Sequence, residues 1–133
     1  MFVPYKSKDG AVTPWEYLPV SAITPKVGMA LIQTGGNLAI ATGTNVPTYI
    51  SMVEKDSACA AGDIIPVIRV EKDVIYETTN SASFSAIKKG DKVTLHASDG
   101  LQVTATKTDG IAEVVDFDDA AATGAGGKVY VRF

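Results

Sequence analysis

His96 is the single histidine of this chain and Cys59 the single cysteine. Acid–base or thiol chemistry would have to run through one of them. A histidine base needs a nucleophile or a carboxylate beside it in a defined pocket. In K-V-T-L-H the alternation places His96 on the polar side with Lys92 and Thr94, which predicts a surface imidazole. A nucleophilic cysteine needs a neighbouring base or a helix N-terminus. Cys59 stands in D-S-A-C-A-A-G-D, where small neighbours predict a packed thiol. Asp116, Asp118 and Asp119 resemble half of a calcium loop. An EF-hand also needs a central glycine, a distant glutamate and two flanking helices. None accompanies these aspartates, which read as a solvated acidic turn. Gly124-Ala125-Gly126-Gly127 precedes Lys128-Val129, a strand start rather than the G-K-[ST] and helix of a phosphate loop. No G-x-S-x-G, H-E-x-x-H or C-x-x-C occurs. The expectation is no catalytic, cofactor or metal site, and hence no enzyme.

The elements around these residues read as strands. Two segments share one plan: Lys26 to Thr42, K-V-G-M-A-L-I-Q-T-G-G-N-L-A-I-A-T, and Lys89 to Thr106, K-G-D-K-V-T-L-H-A-S-D-G-L-Q-V-T-A-T. Each opens with Lys and Gly, runs extended, turns at Gly and returns on a strand that starts with Leu. In the second, Val93, Leu95 and Ala97 alternate with polar neighbours, and Leu101, Val103 and Ala105 do the same. Asp99-Gly100 and Gly35-Gly36-Asn37 are the hairpin turns, because a tight turn needs positive φ and glycine supplies it. Further strands are expected at about 48–53, 64–70, 74–79, 82–87, 111–117 and 128–133. Pro66, inside I-I-P-V-I-R-V, predicts an edge strand or a bulge. Residues 120–127 are too rich in glycine for a stable helix and read as a loop. Val129, Val131 and Phe133 form an apolar face that must dock, within the chain or between copies.

The first 25 residues differ. They hold four of the six prolines, with Phe2, Tyr5, Trp15 and Tyr17 among them. Proline fixes φ and removes a donor, so this stretch reads as an extended arm, residues 1–25, with aromatic anchors. Its four aromatics are the candidates for contact with another surface. Trp15 has no second tryptophan with which to form a sugar-binding strip. Residues 26–133 then form one all-β body, a small β-barrel or β-sandwich. With 133 residues and 46% hydrophobic content, the chain can bury a core of its own. A net charge of −3 with scattered Lys and Arg gives no reason to bind nucleic acid. A single cysteine leaves no internal disulfide, and no apolar run is long enough for a membrane span. M-F-V-P-Y-K-S-K-D-G lacks a signal peptide's apolar stretch, so folding in a cytoplasm is expected.

The runs G-M-A-L-I-Q-T-G-G-N-L-A-I-A-T-G-T-N-V-P-T-Y-I-S-M and A-A-G-D-I-I-P-V-I-R-V, with I-A-E-V-V-D-F and K-V-Y-V-R-F near the end, carry a resemblance. Over residues 26–133 the chain resembles the small capsid decoration, or head-stabilising cement, proteins of tailed phages and prophages. That resemblance implies an all-β fold, a place on the outer capsid surface of the virion, the major capsid protein as partner, frequent homotrimers, and no catalytic residues. Synthesis would take place in the bacterial host's cytoplasm. The alternative is a ligand- or carbohydrate-binding β module of a phage fibre or surface protein, which needs a concave aromatic site. An enzyme would need a second catalytic group beside His96 or the aspartates.

Overall fold

The computed structural model describes all of residues 1–133. In chain order the elements are β1 (Val3–Ser7), β2 (Trp15–Pro19), β3 (Ala30–Thr34), β4 (Asn37–Ile40), β5 (Tyr49–Ser51), β6 (Ile64–Arg69), β7 (Val74–Asn80), β8 (Lys92–Val93), β9 (Gln102–Val103), β10 (Ala112–Phe117), α1 (Asp119–Thr123) and β11 (Lys128–Arg132). They build two sheets, which confirms the all-β class. The first runs β1-β7-β11-β10-β8, with β9 pairing in parallel with β7. The second runs β2-β6-β5-β3-β4 and is antiparallel throughout. The strands do not close into a single barrel.

Period-two patterning explains which faces meet. In β7, V-I-Y-E-T-T-N, residues 74, 76, 78 and 80 are buried and those between are half-buried. β11 repeats this with Val129 and Val131 inside. These side chains share a core with Ala30, Ile50 and Ile68 of the second sheet. The second sheet is also covered on its other face, where Leu31, Tyr49, Ile65 and Val67 pack with Val20 and Cys59. That double burial is why β6 is almost continuously apolar rather than alternating. Each fully buried Val or Ile contributes about 1.5–3 kcal/mol relative to exposure.

The two related hairpins fold unequally. Gly35 and Gly36 have φ of 58° and 86°, so β3 and β4 join through a two-residue turn suited to strand twist. The second segment has only β8, β9 and a Leu95–Val103 bridge. Gly100, at φ 59°, sits at the contact between the two hairpins, and its carbonyl accepts from Ala30 N at 2.8 Å. A Cβ there would lie 2.9 Å from the carbonyl oxygens of Ala30 and Ala41. Glycine is thus needed twice over, for its φ and for the close approach.

Four expectations are corrected. Residues 82–87 are not a strand. Phe84 and Ile87 both point inward, three apart, and Ile87 N donates to Phe84 O at 2.9 Å, which is turn geometry. Residues 120–127 are not all loop. The Asp118 carboxylate caps the Ala121 N–H at 2.8 Å, and three alanines complete the one-turn α1. β6 is not an edge strand, since β2 and β5 flank it. Pro66 fits because β5 ends at Ser51, just short of where the missing N–H would point, while Pro66 O still accepts from Met52 N at 3.0 Å.

Residues 1–25 are the fourth correction: they are framework rather than a free extended arm. β1 ends the first sheet and β2 ends the second. Their prolines mark edge strands, where a missing donor costs no ladder bond. Phe2 N donates to Gly28 O at 2.7 Å, and Lys55 N to Pro25 O at 3.0 Å. Val129, Val131 and Phe133 dock within the chain. β11 lies between β7 and β10, and the Phe133 ring packs on Phe2 and Tyr76 at 5.5 and 5.8 Å.

Candidate functional site

Antiparallel pairing decides what the end of the second sheet presents to solvent. Trp15 lies opposite Ile68, Tyr17 opposite Pro66, and Pro19 opposite Ile64. Directly opposed residues share a face. Ile68 is in the core between the sheets. From there the same face runs outward into solvent as a strip. Trp15, Tyr17 and Ile64 are 55%, 65% and 56% exposed, and Pro19 and Pro66 lie between them. Their strand neighbours Leu18, Ile65 and Val67 point the other way, into the second cluster. Glu16 and Arg69 close that opposite side. The guanidinium donates to both carboxylate oxygens at 3.1 and 3.3 Å and lies over the Tyr49 ring at 4.9 Å.

Beside the strip, β1 and the 8–14 loop enclose a groove of about 580 Å³. Trp15, Met52 and Ile68 form one wall, and Pro4 to Ser7 form another. The loop is shaped by its own hydrogen bonds: Ser7 Oγ donates to Ala11 O at 3.1 Å, and Asp9 Oδ1 accepts from Ala11 N at 3.0 Å.

The four aromatic contact candidates do not act together. Phe2 is 1% exposed and belongs to the core, so it is not available to a partner. Tyr5 is 60% exposed on the far side of the groove and packs at a tilt against Tyr130, with ring centroids 4.6 Å apart. Trp15 and Tyr17 form the strip. Ile64, Pro66 and Met52 were missed by the sequence reading. A signal existed in the adjacent pair Ile64-Ile65: neighbours on a strand face opposite ways, so one of them must leave the second cluster.

The remaining chemistry-bearing residues are dispersed. His96 is half-exposed, with Nδ1 at 3.2 Å from Asp99 Oδ1. The face it was expected to share is not a solvent face: Thr94 is buried and its hydroxyl bonds to that of Thr104 at 2.6 Å. Cys59 is buried in the second cluster. Asp116 pairs with Lys89 at 2.7 Å, and that contact holds its carboxyl below the usual range. Asp118 is lowered by the Ala121 N–H it caps. No three His, Cys, Asp or Glu side chains converge as metal ligands would. The Tyr76 hydroxyl is pushed up by burial, partly offset by the Glu71 N–H it accepts at 3.2 Å. No protein-family model, curated protein or solved structure matches this chain.

Proposed function

We propose that this protein is a structural decoration module that docks on the outer surface of a phage capsid, on the major capsid protein, and stabilises the shell. The observation that carries the reading is the strip of Trp15, Tyr17, Ile64 and Pro66 on paired strands. Aromatics on a rigid backbone bring large apolar area to a contact at little entropic cost. Two sheets with a shared core hold that strip in place, so docking needs no folding step. Repetition over a lattice turns a modest single contact into high avidity. The resemblance of residues 26–133 to cement proteins supports the same reading and adds the expectation of trimers on the virion surface.

Co-sedimentation with purified undecorated shells tests it. The wild-type protein is expected to pellet with shells at a fixed stoichiometry. Tyr17→Ser with Ile64→Ser should weaken that by at least about tenfold, the scale of a central apolar contact. Wild-type protein that stays in the supernatant at micromolar concentration rejects the reading. Light scattering of the free protein checks the trimer.

A further inference from the structure

We infer that the groove between β1 and Trp15 is a binding site for an extended peptide segment, apolar at one end and basic at the other. The inference goes beyond the shell-docking reading and stands or falls without it. Three features converge on such an occupant.

The first is shape. One wall is four consecutive strand residues, Pro4 to Ser7. At about 3.3 Å per residue that wall is roughly 13 Å long, the length of a four-residue extended chain. The second is main chain. β1 ends its sheet, so half of its backbone groups have no ladder partner. An unpaired edge is where an extended peptide adds as a further strand.

The third is polarity. Trp15, Met52, Ile68 and Val74 make the main hollow apolar. It continues past Ser7 and Val74 into a smaller hollow of about 240 Å³ lined by Asp9, Glu71 and Asp73. No lysine or arginine lines that end. None of the three carboxylates is in an ion pair, although five other acidic residues pair with Lys or Arg. Lys6 lines only the apolar hollow. A chain with an apolar residue over Trp15 and Lys or Arg beyond it matches this gradient. A phosphate-bearing or acidic ligand is opposed by it.

Trp15 is the only tryptophan, so it reports occupancy directly. The probe is the tryptophan-free peptide acetyl-Leu-Thr-Val-Lys-Arg-amide, titrated into the full chain at low salt. A saturable blue shift of emission is expected, half-complete below about 1 mM. Glu71→Gln with Asp73→Asn should weaken it about fivefold, the sum of two exposed charge contacts. Raising salt to roughly 0.5 M should erase most of that difference. The variant pair lies on an exposed turn, and an unchanged melting temperature will confirm its fold. The inference is overturned by no saturable shift, by equal binding of acetyl-Leu-Thr-Val-Glu-Glu-amide, by unchanged affinity in the double variant, or by a neutral sugar such as cellohexaose binding as tightly.

Discussion

The two sheets meet solvent in opposite ways. On the outer face of the first, charges answer one another across neighbouring strands. Lys128 reaches Glu77 at 3.4 Å, Arg132 reaches Glu113 at 2.8 Å, and the tilted rings of Tyr5 and Tyr130 pack between strands on the same sheet. The projecting end of the second sheet carries Trp15, Tyr17 and Ile64 with no polar partner. A self-paired surface has little to gain from a partner, because docking there would desolvate charges already satisfied. The apolar strip loses nothing of the kind and gains burial. Docking is therefore expected at the strip and not on the charged face.

The largest effect separates framework from surface within the first twenty residues. Phe2→Ala removes a ring that touches Phe133 and is closed off from solvent. It should cost about 3–5 kcal/mol and lower the melting temperature by on the order of 10–20 °C. Tyr17→Ser, fifteen residues on, should change stability by no more than about 0.5 kcal/mol. Equal losses in thermal denaturation would break the contrast, since both aromatics would then be core or both surface.

The interior of the first sheet depends on a polar anchor that reaches distant segments, whereas the buried Ser51 of the second sheet bonds only to Val53, two residues on. Asn80 is fully buried at the end of β7. Its amide nitrogen is within 2.7–3.0 Å of the carbonyls of Ala82, Ala121 and Gly124, and its oxygen accepts from Gly127 N at 2.8 Å. One side chain thus ties α1 and the glycine loop to the sheet. Asn80→Ala strands those groups and should cost about 2–3 kcal/mol. Hydrogen exchange should show the loss first at residues 119–127. Uniform loosening of both sheets would mean that the anchor is not local.

These contrasts were unequally legible in the sequence. Strand class, the Gly35-Gly36 turn and the inward faces of β7 and β11 follow from period two and turn chemistry, which act locally. The fate of the first 25 residues did not. Prolines mark a free extended chain and an edge strand alike, and only partners distant in sequence decide between them. Phe2 reads as an anchor, but its partner Phe133 lies at the opposite end of the chain. Tyr17 was legible as a contact candidate by type, and it is exposed. Ile64 was not, because the face it leaves is filled by residues from elsewhere in the sequence. The acidic end of the groove was invisible for the same reason: Asp9 and Asp73 meet only through the β1–β7 pairing.

The smallest effect tests the self-paired face by pH. Hydrogen bonding from Arg132 holds the Glu113 carboxyl below its usual range, and Lys89 does the same for Asp116. Asp91 is lowered chiefly by the Lys88 N–H, with Lys107 adding to it. A carboxyl depressed in the folded state favours folding when ionised. Its contribution is therefore complete above its unfolded value of roughly 4 and is lost as pH falls through the lower folded value. Melting temperature should stay flat from about pH 7 to 5 and decline below about pH 4. All these groups are near the surface, so solvent screens each pair. Glu113→Gln should shift the melting temperature at neutral pH by no more than about 2 °C and make the acid decline slightly shallower. The same variant should leave shell co-sedimentation unchanged. If Glu113→Gln released the protein from shells while Tyr17→Ser did not, docking would belong to the charged face, and the comparison would be reversed.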